Sequence, residues 1–190
     1  MKKGIVFLIV FLMVISFPIC GYAKGKEKIY LDSSWKYADH ARITSGYAVM
    51  YKVKKNRKDI VIAVNAGHGT KGGSSVKTLC HPDGSAKVTG GTTAAGSVKA
   101  VAVSDGMAFR DGTAERDVTL RMARILKKKL LAEGYDVLMV RDGKDVQLDN
   151  VARTVICNNV ADCHIALHWD SDGPVSYTHL RAHETPEHLV

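Results

Sequence analysis

The stretch from Ile60 to Gly73, IVIAVNAGHGTKGG, constrains the fold of this chain more than any other part of its sequence. Ile60–Val64 is a short apolar run rich in β-branched residues, which predicts a strand buried on both faces of a parallel sheet. Gly67 and Gly69 then flank His68. Because glycine adopts backbone angles that other residues avoid, we expect a sharp turn that leaves His68 at the carboxyl edge of the sheet, where α/β proteins bind ligands. A Gly-His-Gly sequence can also be a turn and nothing more.

The rest of the chain alternates between predicted helices and strands. Thr113–Glu133 and Val146–Val160 have apolar residues at helical spacing, whereas Tyr135–Arg141 and His164–His168 are apolar runs typical of buried strands. The order strand, helix, strand, helix, strand predicts an α/β fold with a mainly parallel, twisted sheet flanked by helices. The 190 residues suffice for one domain.

The first predicted helix, Thr113–Glu133, carries a second candidate site residue. Thr113 is its predicted N-cap and Gly134 is placed to end it, so Glu115 falls in the first turn, where the helix dipole favours a carboxylate. Glu115 is then either a site residue or only a favourable charge. Arg153, on the second helix, either reaches a carboxylate near the site or is exposed. One apolar stripe is predicted on the first helix, formed by Val118, Met122, Ile125, Leu126 and Leu130.

Two segments show only weak patterns. Lys24–Asp59 is lysine-rich, and we interpret it as a leader into the domain with at most one edge strand, at Tyr47–Val53. Thr70–Gly112 is a long connection rich in small residues, predicted to form one wall of a ligand groove and to contain a hairpin that includes Val98–Val103. We expect His81, in this connection, to be an ordinary loop histidine.

The charge of the chain indicates the kind of surroundings it suits. Its formal net charge of +8 and pI of about 9.3 favour acidic or polyanionic partners. Lys and Arg are spread along the chain, without the Arg-rich helix or aromatic-interleaved basic patch of nucleic-acid-binding proteins, so no nucleic acid partner is expected. A negatively charged cell envelope would match the same charge.

Met1–Ala23 has the organisation of a signal peptide. Lys2 and Lys3 precede an apolar run at Ile5–Ile15 that is short for a membrane span, and Gly21–Ala23 offers small residues around a cleavage point. We expect a secreted protein of the cell wall or periplasm, without stable membrane association after cleavage. The alternative is an uncleaved anchor helix. Three cysteines would remain, predicted to be buried free thiols unless the last two pair: Cys80, Cys157 and Cys163.

His68, Glu115 and His168 form the predicted site. The first and third strands of the core both end in histidine and Glu115 opens the helix between them, so all three side chains should project from one edge of the sheet. Two neutral imidazoles and one carboxylate are a common ligand set for catalytic Zn²⁺, with a water in the fourth position. The ion would lower the pKa of that water toward ~7 and polarise a carbonyl. His164, on the same strand but deeper, is expected to be a core histidine.

Three segments together resemble one enzyme family. They are IVIAVNAGHGTKGG, AERDVTLRMARILKKKLLAEGYDVLMVRDGKDVQLDNVARTVICNN and ADCHIALHWD. From Ile60 to about Asp172 the chain is similar to the zinc-dependent N-acetylmuramoyl-L-alanine amidases of the AmiC/CwlV type, the amidase-3 family. The resemblance implies a phosphorylase/hydrolase-like fold with Zn²⁺ held by His68, Glu115 and His168. It also implies cleavage of the amide between N-acetylmuramic acid and L-alanine in peptidoglycan.

The chain departs from this family in three places. Asn65–Thr70 reads Asn-Ala-Gly-His-Gly-Thr where the family usually has Asp-Pro-Gly-His-Gly-Gly, and Asp170 stands where it usually has Asn. The connection between His68 and Glu115 is also longer than is common. These differences leave every predicted ligand in place and bear on substrate preference.

The family also places a catalytic Glu, the general acid/base, on elements after the second histidine. Too little chain follows here for another helix and strand, and Ser176–Thr185, SYTHLRAHET, resembles the translation of a transposon-end sequencing adapter. We therefore predict that residues 60–175 are a partial catalytic domain, incomplete at the C-terminus, and that residues 176–190 are an adapter artefact. The general acid/base is then not present in this chain, Glu184 and Glu187 do not replace it, and we expect weak zinc binding and little turnover. A genomic clone that encodes the tail unchanged would refute this prediction.

Two other functions stay open on the sequence. A zinc peptidoglycan peptidase on a similar fold would use the same metal and differ in the bond that it cuts. A non-catalytic wall-binding protein would keep the fold without the chemistry, and the absent Glu fits that reading too. A Glu closing a late strand in the downstream gene sequence would favour catalysis.

Overall fold

The computed structural model describes residues 25–90 and 93–169. The strands are β1 (Lys26–Ile29), β2 (Ala48–Tyr51), β3 (Val61–Ala66), β4 (Lys77–Leu79), β5 (Lys99–Val101), β6 (Asp136–Met139) and β7 (Cys163–Leu167), and the helices are α1 (Glu115–Ala132) and α2 (Asn150–Val160). Five strands form a mixed sheet in the order β1-β2-β6-β3-β7, and β4 pairs with β5 in a small separate sheet. The predicted signal peptide, Asp170 and the tail 176–190 lie outside the described residues.

Strand β3 lies in the middle of the parallel part of the sheet. It runs parallel to β6 on one side and to β7 on the other, so that Ile62 is opposite both Val137 and Cys163. Its residues from Ile62 to Ala66 are buried, as the apolar run predicts. The carboxyl ends of the three strands therefore meet at one edge, and the predicted α/β fold is confirmed.

The segment before β3 contributes more to the sheet than its sequence predicts. β1 and β2 pair antiparallel with each other, and β2 also pairs antiparallel with β6. The strand predicted at 47–53 is therefore not an edge strand, because β1 lies outside it. Met50 and Tyr51 are buried in the core. The expectation of at most one strand in 24–59 was wrong because the charged residues of β1, Lys-Glu-Lys, give it the composition of a linker.

The two helices cover opposite faces of the sheet. Successive strand residues point to opposite faces, and β6 shows this directly. Val137 and Met139 belong to the cluster that packs under α1. Leu138 and the following Val140 belong to the cluster that packs under α2. All four are fully buried, so this apolar run packs against α1 on one face of the sheet and against α2 on the other.

The apolar stripe predicted for α1 is confirmed in part, since Met122, Leu126 and Leu130 pack against the core. The N-cap of α1 is Ala114, without a side-chain cap, rather than Thr113. Ile125, predicted to be in the stripe, is 53% exposed. Thr119 is instead fully buried, and its hydroxyl donates to the carbonyl oxygen of Gly67 at 3.1 Å. The first turns of α1 thus direct polar groups toward the end of β3, which a count of apolar residues does not reveal.

The long connection 70–112 contains the small sheet, in agreement with the predicted hairpin. The three cysteines of the described residues are free thiols, as expected, although only one is buried. Burial raises the pKa of the Cys157 thiol to about 12, whereas Cys163 is exposed. Within residues 25–90 and 93–169, no helix combines the length and apolar character that crossing a membrane requires.

Candidate metal centre

The turn after β3 holds His68 at the carboxyl edge of the sheet. His68 itself adopts a left-handed backbone conformation with φ of 64°, and Gly69 follows at 73°. A left-handed conformation costs a residue other than glycine about 1–3 kcal/mol, so the surrounding structure has to stabilise it. The predicted sharp turn is present. The left-handed backbone conformation, expected only of the glycines, is adopted by His68 as well.

Three side chains converge at this edge from three different elements. His68 follows β3, Glu115 opens α1 and His168 follows β7. The Nε2 atom of His68 lies 2.8 Å from Oε1 of Glu115. The Nδ1 atom of His168 lies 3.1 Å from that nitrogen and 3.2 Å from that oxygen. The structure thus brings together all three predicted residues, and among the described residues they form the one group of three or more potential metal ligands.

Hydrogen bonding determines which nitrogen of His68 faces the cluster as an acceptor. Its Nδ1 atom lies 2.8 Å from the carbonyl oxygen of Ser104. A carbonyl oxygen only accepts, so Nδ1 donates and Nε2 of the neutral ring carries a lone pair. A neutral His168 protonated on Nε2 directs a second lone pair at the cluster, and the carboxylate of Glu115 adds a third. In these tautomers the electron-rich atoms repel one another unless a cation lies among them, whereas in the metal-free protein a proton on Nδ1 of His168 bridges to Glu115.

The carboxyl group of Glu115 is buried and firmly held. Its Oε1 accepts a hydrogen bond from the N–H of Trp169 at 2.8 Å, and its Oε2 accepts one from the N–H of Met107 at 3.0 Å. Burial raises the pKa of this carboxyl, but in the metal-free cluster its close contacts with His168 and His68 and the two N–H donors bring the pKa well below its ordinary value. Glu115 is therefore a carboxylate at neutral pH.

The spacing of the three ligand atoms suits a small divalent ion. Zinc bonds of about 2.0–2.2 Å in tetrahedral geometry place ligand atoms about 3.3–3.5 Å apart. The observed separations of 2.8, 3.1 and 3.2 Å are slightly shorter, and small side-chain rotations bridge the difference. The side chain of His168 is 47% exposed, so the cluster is accessible from solvent. The residues present therefore fit a metal ion with an open coordination position.

Arg153 supports the His68 turn from inside the protein. It is 1% exposed and donates to the carbonyl oxygen of His68 at 2.8 Å and to Oγ1 of Thr70 at 2.9 Å. It also donates to Oδ1 of Asn65 at 3.2 Å. The sequence offered a carboxylate partner or an exposed position for Arg153, and both expectations were wrong. Its partners are carbonyl, hydroxyl and amide oxygens, which a single sequence does not reveal.

Arg141 supports the same turn from the other side. It is also 1% exposed and donates to the carbonyl oxygens of Ala66 at 3.1 Å and Gly67 at 2.9 Å. Burial lowers the pKa of Arg141 to about 10 and that of Arg153 to about 9, so both stay charged at neutral pH. Sequence reasoning gave Arg141 no function. Its place at the end of the predicted strand Tyr135–Arg141 puts it at the edge where the ligands were expected, but the sequence does not distinguish a buried guanidinium there from an exposed one.

The other histidines of the described residues lie away from the cluster. His164 is partly buried on β7, consistent with a place in the fold rather than in the site. His81 contacts the hydroxyl of Ser85 at 2.9 Å, within its own loop. Phe109 and Trp169, by contrast, were missed by sequence reasoning. Their rings form an edge-to-face pair with centroids 6.0 Å apart, beside the backbone that binds Glu115.

We predict that Gly67→Ala weakens metal binding with little effect on the fold. A Cβ atom at this position would lie 2.7 Å from both ring nitrogens of His168, so the imidazole has to move. We expect the affinity for Zn²⁺ in a calorimetric titration to fall at least tenfold, while circular dichroism stays unchanged. Gly90→Ala is the matched control, since a Cβ there meets nothing within 4 Å. Equal zinc affinity of Gly67→Ala and wild type would contradict the packing of His168 on Gly67.

We predict that Arg153→Met destabilises the protein by about 3 kcal/mol or more, because it leaves several buried oxygen atoms without a donor. Arg153→Lys should recover part of the loss, since it restores the charge but fewer hydrogen bonds. The measurement is denaturant unfolding followed by circular dichroism. Arg110→Met, at an exposed position, should stay within about 0.5 kcal/mol of wild type. A similarly small effect of Arg153→Met would mean that the turn does not depend on this side chain.

The comparison with known families agrees with this geometry. The profile of the family described as N-acetylmuramoyl-L-alanine amidase matches residues 62–180, more than half of the chain. The matched range contains β3 except its first residue, both helices and the three clustered side chains. No curated protein matches the chain. On its sequence profile, the chain belongs to the N-acetylmuramoyl-L-alanine amidase family.

Proposed function

We propose that this protein is an exported, zinc-dependent hydrolase that cleaves the amide between N-acetylmuramic acid and L-alanine in peptidoglycan. Its family supports amidase chemistry on peptidoglycan. The metal dependence rests on one observation, the approach of two imidazole nitrogens and a carboxylate oxygen to within 3.2 Å of one another. We assign His68, Glu115 and His168 as the zinc ligands.

Neighbouring groups of the protein orient these three ligands in the absence of a metal ion. Ser104 keeps the proton of His68 on Nδ1, which leaves Nε2 available as a ligand. The N–H groups of Met107 and Trp169 keep Glu115 ionised and fix its orientation. When bound, Zn²⁺ supplies a Lewis acid that polarises a carbonyl and lowers the pKa of water. The half-exposed His168 marks the side from which the substrate carbonyl approaches.

The general acid/base of the reaction is not assigned within the described residues. Glu115 is committed to the cluster, and its low pKa does not suit proton transfer near neutral pH. We keep the hypothesis that the catalytic Glu is absent from this chain and that residues 176–190 do not belong to the protein, although the family match runs to residue 180 and overlaps the first five of them. Glu184 and Glu187 are therefore given no function.

The proposed location is the cell wall or periplasm. It rests on the signal-peptide organisation of Met1–Ala23 and on the formal net charge, +8 for the whole chain and +6 after removal of Lys2 and Lys3, which suits a negatively charged envelope. Cleavage after Ala23 in a secreting host, read from the amino terminus of the mature protein, would support export. Retention of Met1–Ala23 on a membrane fraction would instead support an anchor helix.

We predict that the protein binds one Zn²⁺ weakly and that its low turnover is confined to one specific bond. Purified chain is titrated with zinc and then incubated for a prolonged period with soluble muropeptides, which are analysed by mass spectrometry. We expect one ion per chain, a free amino group on L-alanine in the product, and loss of the product on chelation. Glu115→Ala and His168→Ala should each lower zinc affinity at least tenfold, while Glu133→Ala, an exposed control, should not.

The same experiment separates the alternatives. Cleavage of a peptide bond within the stem, with the bond to N-acetylmuramic acid intact, would replace the amidase by a zinc peptidase. Zinc and muropeptide binding without any product, together with a downstream gene sequence in which no Glu closes a late strand, would favour a non-catalytic wall-binding protein. If neither Glu115→Ala nor His168→Ala lowers the affinity for zinc, the assignment of these residues as zinc ligands is wrong.

A further inference from the structure

The end of the sheet opposite the metal centre carries a loop that the proposed function does not use. β2 runs antiparallel to β6, so β2 ends at Tyr51 where β6 and β3 begin. Helix α1 also ends here, because it begins with Glu115 in the cluster and runs to Ala132, about 26 Å along its axis. Residues 52–58, which follow β2, are therefore remote from the metal centre.

A buried carboxylate fixes the shape of this loop. Asp136 is 3% exposed and accepts hydrogen bonds from the N–H of Val53 and from Nη2 of Arg57, both at 2.8 Å. The N–H of Lys58 donates to the carbonyl oxygen of Gly134, just beyond α1, at 2.9 Å. The loop is thus held against the end of α1 and the start of β6 as part of the folded domain.

Positive charge predominates on the loop. Residues 52–59 include five cationic residues and one acidic residue. Lys54, Lys55 and Lys58 are exposed, as is Lys129 in the last turn of α1. None of these four lysines forms an ion pair with a residue that the structure describes. We call Lys54, Lys55, Lys58 and Lys129 the basic end of the domain.

Most of the acidic residues near the basic end already have partners. Asp59 and Asp136 lie 3.2 and 2.8 Å from Nη2 of Arg57, and Glu27 lies 2.9 Å from Nζ of Lys52. Two more acidic residues at this end form no ion pair within the described part of the chain: Glu133 and Asp162. The four unpaired lysines outnumber them, so the charge available to a partner is positive.

Two further features indicate a membrane surface as that partner. Ile60, next to the loop, is 40% exposed, and an apolar side chain among lysines suits the boundary between lipid headgroups and acyl chains. Strand β1 also begins at this end, since Lys26 is opposite Tyr51. Lys26 follows the predicted cleavage point after Ala23 by three residues. The predicted signal peptide therefore joins the domain at the basic end and not at the metal centre.

We propose that the basic end binds the surface of an anionic membrane. Lysines close to a bilayer attract anionic lipid headgroups, and this attraction fades within about one Debye length, ~8–10 Å at ordinary ionic strength. The binding is peripheral and reversible, which distinguishes it from stable anchoring by an apolar helix. It directs the metal centre away from the bilayer. The inference does not depend on the proposed metal chemistry.

The test is co-sedimentation of the exported chain, purified from a secreting host, with lipid vesicles. Vesicles of phosphatidylcholine alone are compared with vesicles of equal parts phosphatidylcholine and phosphatidylglycerol. We expect at least tenfold tighter binding to the anionic vesicles in low salt, and loss of this preference in high salt. Lys54→Glu/Lys55→Glu should lower the affinity for anionic vesicles at least tenfold. Lys77→Glu/Lys99→Glu, at exposed positions of the small sheet, is the charge-matched control and should keep most of the affinity.

Hydrogen exchange on the anionic vesicles tests the orientation. Backbone N–H groups of residues 52–60 should exchange more slowly on the vesicles than in solution. Those of residues 104–115, beside the metal centre, should exchange at the same rate in both. A zinc titration of Lys54→Glu/Lys55→Glu should give the affinity of wild type, which shows that the variant is folded and that its loss of vesicle binding is local.

Several results would overturn the proposal. Equal binding to neutral and anionic vesicles would do so, as would equal losses of affinity in the two double variants. Slower exchange at residues 104–115 instead of 52–60 would place the opposite end on the membrane. Binding of a soluble glycerol-phosphate polymer through Lys54 and Lys55, without binding of vesicles, would assign the basic end to a polymer and not to a lipid surface.

Discussion

The hydrogen bonding of the turn after β3 is the constraint on which the site depends. Here the chain leaves the sheet, and the carbonyl oxygens of Ala66, Gly67 and His68 lie where donors are scarce. Two buried guanidinium groups, from Arg141 and Arg153, supply those donors. A buried charge is expensive unless many hydrogen bonds satisfy it, and a left-handed histidine is unfavourable unless its surroundings hold it. The carbonyl oxygens of the turn satisfy the two buried guanidinium groups, and the guanidinium groups in turn hold the left-handed backbone of His68. His68 is therefore fixed at the edge of the sheet.

The remaining ligands reach the same point because the strands are parallel. β3 and β7 end side by side, which places His168 against Gly67, and the first turn of α1 places Glu115 beside both rings. Backbone groups then complete the arrangement. The carbonyl of Ser104 orients one imidazole, and the N–H groups of Met107 and Trp169 hold the carboxylate. The long connection 70–112 thus contributes backbone partners to the site, in addition to any contact it makes with substrate.

The sequence was sufficient for the parallel core and for the three residues that cluster, because both follow from where apolar runs end. The sequence was insufficient wherever a residue forms a hydrogen bond or a strand pairing with a residue that is distant in the chain. Arg141 and Arg153 have no sequence pattern that distinguishes a buried guanidinium on carbonyl oxygens from an exposed one. β1 has the composition of a linker, and its place in the sheet is set by pairing with β2. The burial of Thr119 on α1 goes together with its hydrogen bond to Gly67, which apolar periodicity does not predict.

The central claim is that His68, Glu115 and His168 share one divalent ion, and X-ray absorption at the zinc edge of the zinc-loaded protein tests it most directly. The claim predicts a four-coordinate ion with only nitrogen and oxygen neighbours at about 2.0–2.2 Å, including two imidazoles. His168→Ala should lose one imidazole from that shell. Sulfur neighbours at about 2.3 Å, or a spectrum unchanged in His168→Ala, would place the ion elsewhere and contradict the claim.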